Sequence, residues 1–186
     1  MKYEIQKLQR INVIGTSGSG KSTFSKTLAS KLNLPYIEMD SLFWKDDWRF
    51  ASDEELMENV RLATKGDRWL LDGNYNRTQP IKWKNVQTII WLDYPFHLVF
   101  YRVLKRSIAR LFDGKPLWGT NNRESFKKSF LSKESIIYWM WTSYPNMKKR
   151  YTKVFEKNTK NWQLIRLTST SAANDFLNNL DSQVNF

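Results

Sequence analysis

The sequence predicts an α/β fold in which a doubly wound sheet of five parallel strands is flanked by helices. Five short apolar segments alternate with stretches of helical character, which is the pattern of such a sheet; they are residues 8–15, 34–40, 69–71, 88–92 and 162–167. The third and fourth segments are continuously apolar, as strands covered on both faces are. The 186-residue chain has no internal repeat or low-complexity linker. We therefore expect one domain, 1–186.

Two helices are predicted in the first half of the chain. The first follows residue 23 and runs to about residue 32. The second follows a capping box, with Ser52 as the N-cap and Glu55 three residues into the helix. It carries an apolar face and is expected to end at Gly66.

The second half of the chain contains three predicted helices. Pro95 is expected to open the first, which ends at about residue 111. A turn-rich stretch, 113–122, precedes a long helix from about Glu124, and we expect Pro145 to break or kink that helix. The closing helix covers about 172–180.

A glycine-rich segment at 15–23, reading GTSGSGKST, predicts phosphate binding. It contains the P-loop pattern G-x-x-x-x-G-K-[ST] between an apolar strand and a helix, which is the context that the pattern requires. Its glycines let successive N–H groups approach phosphate oxygens, Lys21 reaches the β- and γ-phosphates, and the Ser22 hydroxyl ligates Mg²⁺. We therefore predict a P-loop NTPase that binds ATP, or another nucleoside triphosphate, with Mg²⁺ through Gly15, Thr16, Ser17, Gly18, Ser19, Gly20, Lys21, Ser22 and Thr23.

The composition limits the compartment and the partners. The absence of cysteine excludes disulfides and thiolate zinc sites and is compatible with the cytoplasm, where we expect the protein. No run of eighteen apolar residues occurs, so no membrane span is expected. Thirty Lys and Arg against eighteen Asp and Glu give a net charge of +12. That charge attracts polyanions such as nucleotides or nucleic acid; a solvated basic surface is the alternative.

Three aspartates follow predicted strands. They are Asp40, Asp72 and Asp93. Ligands of a doubly wound sheet bind beyond the carboxyl ends of its strands, so we expect these carboxylates to converge with the P-loop in one crevice. Asp72 follows the strand expected to lie beside the P-loop strand, and it is our candidate for holding the Mg²⁺ together with Ser22.

Two further segments resemble adenylate kinases. Residues 70–78, LLDGNYNRT, resemble the "LLDGFPRT" segment of that family, with one extra residue before the arginine. Residues 93–95, DYP, followed by RVLKR at 102–106, are similar to its "DVP…RIVGR" segment. The resemblance implies a nucleoside monophosphate kinase-like fold, with an acceptor-binding segment at about 40–66 and a mobile lid at about 107–130.

The resemblance also implies roles for three arginines. Arg102 and Arg106 would face the ATP phosphates or the base at the lid hinge, and Arg123 would be a second arginine of the lid. Both Arg102 and Arg106 lie on one face of the predicted helix because they are four residues apart. A solvated basic helix face is the alternative for them.

The resemblance to adenylate kinases fails at the acceptor side. Phe43 occupies the position where that family has an arginine that grips the acceptor phosphate. A carboxylate on strand two followed by aromatic residues is more similar to shikimate and gluconate kinases, whose acceptor is a hydroxyl. In that reading Asp40 orients or deprotonates the hydroxyl, and Arg77 supplies a charge for an anionic group. Trp44 either forms an aromatic wall for the substrate or covers the core.

Two functions remain open from the sequence. The whole pattern most resembles the adenylate-kinase-related P-loop proteins known as topology modulation proteins. The first function is an ATP-dependent phosphotransferase acting on a small acceptor, with Lys21, Asp40, Arg102, Arg106 and Arg123 as its catalytic residues. The second is a nucleotide-dependent protein that binds nucleic acid, with weak ATPase activity. The kinase is favoured, because the lysines are spread along the chain and no DNA-binding motif occurs.

Overall fold

A computed structural model describes residues 3–113, 115–123, 136–157 and 162–184. Its five strands form a single sheet in which every pair is parallel, in the order β2-β3-β1-β4-β5. The strands are β1 (Arg10–Gly15), β2 (Tyr36–Glu38), β3 (Trp69–Asp72), β4 (Thr88–Leu92) and β5 (Gln163–Leu167). The predicted α/β fold is confirmed, and the P-loop strand β1 lies at the centre of the sheet.

Helices connect the strands and cover both faces of the sheet. They are α1 (Lys21–Lys31), α2 (Met39–Phe43), α3 (Asp53–Ala63), α4 (Gln79–Lys82), α5 (Phe96–Asp113), α6 (Ile136–Lys157) and α7 (Thr170–Val184). The predicted capping box opens α3: Glu55 N–H donates to Ser52 Oγ at 3.2 Å, and Ser52 N–H donates to Glu55 Oε2 at 2.9 Å. Within the described ranges, no helix has the length and apolar character needed to cross a membrane.

Two apolar clusters account for the continuous hydrophobicity of the strands. Ile11, Val13 and Ile90 belong to a cluster with buried residues of α1, α5 and α7. The opposite face is covered mainly by α3 and α6, whose Val60 and Tyr151 pack with other strand residues. Alternate residues of a strand point to opposite faces, so a strand covered on both sides is apolar throughout.

The predicted second strand was too long. It ends at Glu38, and Asp40 lies in the short helix α2 instead of at a strand end. The cause is the burial of Met39, which is fully inaccessible and sits against Gly73. A Cβ at Gly73 would lie 2.6 Å from Met39 Cβ, so the absence of a side chain there gives Met39 its place. The chain must turn after Glu38 to bury Met39.

The expected break at Pro145 does not occur, because α6 continues through this residue. Proline removes one backbone hydrogen bond, to the carbonyl four residues earlier. That carbonyl belongs to Trp141, which is 63% exposed, so water can replace the lost donor. The fully buried Met140 and Tyr151 anchor the helix on both sides of the proline. The predicted start of this helix near Glu124 lies outside the described residues.

A buried polar residue, Asn12, joins the middle strands. Its Nδ2 donates to Leu71 O at 3.0 Å, and its Oδ1 accepts from Trp83 Nε1 at 2.8 Å. Asn12 is inaccessible to solvent, so each of these groups depends on its partner for a hydrogen bond.

We expect Asn12→Ala to lower the free energy of unfolding by about 1–3 kcal/mol, because it leaves the buried Trp83 Nε1 without an acceptor. Urea denaturation measures the loss. Trp83→Phe removes the donor, so the double variant should be less destabilised than the sum of the two single variants. Strictly additive losses would contradict the importance of this hydrogen bond.

Candidate active site

Close packing on α5 determines the path of the P-loop. A Cβ at Gly18 would lie 2.4 Å from Val99 O and 2.6 Å from Val103 Cγ2, so only glycine fits there. Gly20 precedes α1 with a left-handed φ of 83°, which glycine adopts without strain. The loop is thus held against α5 while the N–H groups at the start of α1 point into the crevice.

Lys21 lies at the mouth of this loop. Its Nζ donates to Thr16 O at 3.1 Å. Burial lowers the pKa of Lys21, and the carboxylates of Asp72 and Asp40 oppose that shift. The ammonium is therefore held beside two negative charges at the place where phosphates would bind in a P-loop.

Asp72, at the carboxyl end of β3, lies beside Ser22, at the start of α1. Asp72 ends β3, which pairs with β1 as predicted, and it is 4% exposed. Burial raises the pKa of Asp72, whereas the charge of Lys21 and hydrogen bonds from the Ser22 and Tyr36 hydroxyls lower it. The Tyr36 bond is 3.0 Å long.

The oxygen atoms of Ser22 and Asp72 fit a Mg²⁺ ion. Mg²⁺ is usually held by one or two carboxylates and retains several waters. Among the described residues, no cluster of three or more His, Cys, Asp and Glu side chains could enclose a metal. A Mg²⁺ site with few protein ligands, in which substrate phosphates supply others, is consistent with the coordination that Mg²⁺ prefers and with the side chains found here.

The sequence did not indicate Glu38, the last residue of β2, as part of the site. It lies opposite Asp72 in the β2–β3 register. Burial and the neighbouring Asp72 raise the pKa of Glu38, while Lys26 lowers it. A carboxylate at the end of an edge strand of this sheet was the signal that could have identified it.

Asp40 faces the crevice from α2, beside a tyrosine that the sequence also did not indicate. The Tyr75 hydroxyl donates to Asp40 Oδ1 at 2.6 Å. Burial and the charge of Asp40 raise the pKa of Tyr75, so its hydroxyl stays protonated. Tyr75 has a positive φ of 22°, which is uncommon for a bulky residue.

Both arginines assigned to α5 reach the P-loop. Arg102 Nη1 is 3.4 Å from Ser19 O, and its Nη2 donates to Thr170 Oγ1 at 2.8 Å. Arg106 Nη2 donates to Ser17 Oγ at 3.0 Å. The structure therefore brings two positive charges to the loop.

Arg77 and Trp44 lie on the acceptor side but are engaged with protein groups. Arg77 forms an ion pair with Asp53 and lies over the Phe43 ring, 5.2 Å from its centroid. Trp44 stacks on Trp118, with centroids 5.7 Å apart and planes at 11°.

Asp93 does not join the crevice as expected. It accepts a hydrogen bond from Arg166 Nε at 2.9 Å, and Lys148 Nζ lies 3.7 Å from its other carboxylate oxygen. Its side chain is 4% exposed. Asp93 therefore joins the end of β4 to Arg166 of β5 and to Lys148 in the middle of α6.

Comparisons with known proteins agree with this geometry. The AAA domain family model matches residues 11–125, which is more than half of the chain. The chain belongs to the AAA domain family. The matched range includes the P-loop, Asp40, Asp72 and the arginines of α5.

Relatives of this AAA domain chain include a kinase. It is 28% identical over 151 residues to the shikimate kinase of Persephonella marina, covering 70% of the chain and 84% of the relative. It is 29% identical over 69 residues to the uncharacterized protein YqaC of Bacillus subtilis, covering 35% of the chain and 38% of that protein.

Solved structures confirm the fold. Shikimate kinase from Acinetobacter baumannii, in complex with shikimate, has a TM-score of 0.62 at 13% identity, covering 95% of this chain and 93% of its own. Shikimate kinase from Bacteroides thetaiotaomicron has a TM-score of 0.57 at 12% identity, covering 96% and 99%. The resemblance inferred from the sequence, to P-loop proteins with similarity to shikimate kinases, agrees with the family model and with the relative from Persephonella marina. These comparisons do not support the nucleic-acid-binding alternative.

Two segments that flank the acceptor side of the crevice are joined by asparagines. We call the contact between residues 45–48 and 115–123 the latch. Asn122, which is 1% exposed, accepts from Trp48 N–H at 2.6 Å and donates to Lys45 O at 2.8 Å. Asn121 accepts from Asp47 N–H at 2.8 Å. Arg123, the next residue, is exposed.

Lys82 of α4 is fully buried below the site. Its Nζ donates to the carbonyl oxygens of Gly73, at 3.0 Å, and of Asn74. Burial lowers the pKa of Lys82 to about 7, and the charge of Asp72 opposes the shift. Sequence patterns did not indicate this buried amine, because an isolated lysine is normally a surface residue.

We expect Asn122→Ala to increase hydrogen exchange in residues 45–48 and 115–123 by about tenfold or more, because it removes two buried hydrogen bonds. Mass spectrometry of the exchanged peptides measures the change. Asn178→Ala, an exposed position of α7, is the control. Unchanged exchange in the Asn122 variant would show that the latch does not stabilise these segments.

The free energy of unfolding should rise with pH because of Lys82. Its pKa is about 7 in the folded chain and about 10.5 when unfolded, so between these values the unfolded chain binds more protons. One such proton adds about 1.4 kcal/mol per pH unit. Denaturation at about pH 7.5 and about pH 9.5 should therefore show a larger gain for the wild-type chain than for Lys82→Met. The exposed control, Lys84→Met, should follow the wild type. Equal slopes in all three proteins would contradict the lowered pKa.

Proposed function

We propose that this chain is an ATP-dependent phosphotransferase that transfers the γ-phosphoryl group of Mg·ATP to a hydroxyl of a small acceptor. One observation carries the proposal. Lys21 donates to Thr16 O of the P-loop and lies near both Asp72, on the sheet side, and Asp40, on the acceptor side, whose charges oppose the lowering of its pKa by burial. The cation that binds the transferring phosphoryl is then adjacent to a group that can orient the nucleophile.

The nucleotide would bind in the P-loop. The main-chain N–H groups of 15–23 and the start of α1 provide its phosphate contacts, and Lys21 binds the β- and γ-phosphates. Ser22 and Asp72 would hold Mg²⁺, which supplies charge neutralisation for the phosphate oxygens. Arg102 and Arg106 already contact the loop, so they are close enough to stabilise charge that develops during transfer.

Asp40 would orient or deprotonate the acceptor hydroxyl. Tyr75 donates to one of its carboxylate oxygens and so fixes the orientation of the side chain. A hydroxyl acceptor is supported by two facts. Phe43 takes the place of a phosphate-gripping arginine, and the relative from Persephonella marina is a shikimate kinase. Trp44 and Arg77 would line the acceptor side of the crevice.

Residues 107–130 would act as the lid, with Arg123 approaching the phosphates on closure. The latch supports this role, because it joins part of that range to the acceptor-binding segment 40–66. A closed crevice excludes water, which suppresses hydrolysis in favour of transfer.

We expect slow ATP hydrolysis by the chain alone and faster turnover with the correct acceptor. Radiolabelled ATP, offered with shikimate, other hydroxy acids, sugars and nucleosides, measures transfer directly. Lys21→Ala should reduce turnover on the order of a hundredfold or more, because it removes charge stabilisation of the phosphates. Asp40→Asn should bind Mg·ATP normally but lose transfer, on the order of a hundredfold.

Lys84→Ala, at an exposed position, is the control and should keep full activity. The proposal is rejected if the Lys21 variant turns over at the wild-type rate. It is also rejected if calorimetry detects no binding of Mg·ATP to the wild-type chain.

A further inference from the structure

The side chain of Asn74 forms a two-point contact with the first residue of the P-loop. Its Oδ1 accepts from Gly15 N–H at 3.0 Å, and its Nδ2 donates to Gly15 O at 2.8 Å. The last backbone link between β1 and β3 is Gly73 N–H to Val13 O, at 3.0 Å. The amide of Asn74 therefore continues the parallel ladder by one further step, using a side chain in place of a strand.

The turn that carries Asn74 is itself rigidly held. Lys82 donates to the carbonyls of both Gly73 and Asn74, and Asn12 Nδ2 lies 3.3 Å from Gly73 O. Gly73 has a φ of 137° and leaves no room for a side chain, because of Met39. Lys82 of α4 and Asn12 of β1 thus hold the backbone of this turn. The position from which the Asn74 side chain extends is therefore fixed.

The contact restricts the orientation of the P-loop. On its other edge, Gly15 pairs with Leu92 of β4, so Asn74 supplies the support on the β3 side. Because the peptide group is planar, fixing Gly15 O also fixes the N–H of Thr16. The following carbonyl, Thr16 O, is the acceptor of Lys21 Nζ.

We infer that Asn74 is a positioning residue for the phosphate cradle: through its two hydrogen bonds to Gly15 it holds the P-loop in the conformation that binds nucleotide phosphates. This inference rests on the proposed function, since it concerns the same nucleotide site. The turn that carries Asn74 also connects the nucleotide side of the crevice to the acceptor side, because the next residue, Tyr75, donates to Asp40.

Loss of the Asn74 contacts should affect nucleotide affinity specifically, whereas loss of a neighbouring contact should affect only overall stability. Asn74→Ala removes both contacts to Gly15 and should weaken the binding of Mg·ADP by about tenfold to thirtyfold in isothermal titration calorimetry. In the ATPase reaction the KM for Mg·ATP should rise by a similar factor while kcat changes by less than about threefold, because the cradle binds ground state and transition state alike.

Asn76→Ala is the matched control. Asn76 lies two residues away in the same turn, and its Oδ1 accepts from Tyr151 and Gln79, at 3.2 Å in both cases. It should lower the midpoint of thermal unfolding without changing the affinity for Mg·ADP. Asn74→Ser, whose side chain is too short to reach both Gly15 groups, should behave as Asn74→Ala and serves if the alanine variant does not fold.

Two results would overturn the inference alone: wild-type affinity for Mg·ADP in both Asn74 variants, or an equal loss of affinity in the Asn76 control. A wild-type chain that binds neither Mg·ADP nor Mg·ATP would overturn both this assignment and the proposed function. The two failures are therefore distinguishable by the behaviour of the unmodified protein.

Discussion

The contact between Gly18 and α5 is the constraint on which the candidate site depends. With no side chain at this position, the P-loop lies directly on the backbone of α5 at Val99. That approach brings Arg102 and Arg106, one turn apart on the helix, within hydrogen-bonding distance of the loop. A larger residue would separate the two elements, and both guanidinium groups would lose their contacts with Ser19 and Ser17. The absence of a Cβ at Gly18 thus allows the two arginines of α5 to reach the P-loop.

The negative charges of the crevice come from carboxylates that are at least partly buried at the carboxyl ends of the strands. Asp72 and Glu38 face each other at the ends of β3 and β2, and burial raises the pKa of each. Lys21 offsets the cost of placing carboxylates together, because its charge lowers the pKa of Asp72. Cations of α1 and α5 and carboxylates of β2 and β3 thus lie around the same P-loop.

Local patterns made the framework of the fold predictable, whereas contacts between distant segments did not. The P-loop has its own motif, and strands covered on both faces are recognisable from composition, so both were predicted correctly. Asp40 was assigned to a strand because the pairing of Met39 with Gly73 has no local signal. Asn74 and Tyr75 act through a turn, where polar residues show no periodicity. Pro145 locally disfavours a continuous helix, but packing and solvent exposure override this preference and α6 continues through it.

The two asparagines of the latch bind different parts of residues 45–48: Asn121 contacts the Asp46 and Asp47 side chains as well as the Asp47 N–H, whereas the Asn122 side chain contacts main-chain atoms. Both bonds of the Asn122 side chain go to main-chain atoms, Trp48 N–H and Lys45 O, so neither depends on which side chains those positions carry. Replacing the side chain of Lys45 or Trp48 would therefore leave the hydrogen bonds of Asn122 in place.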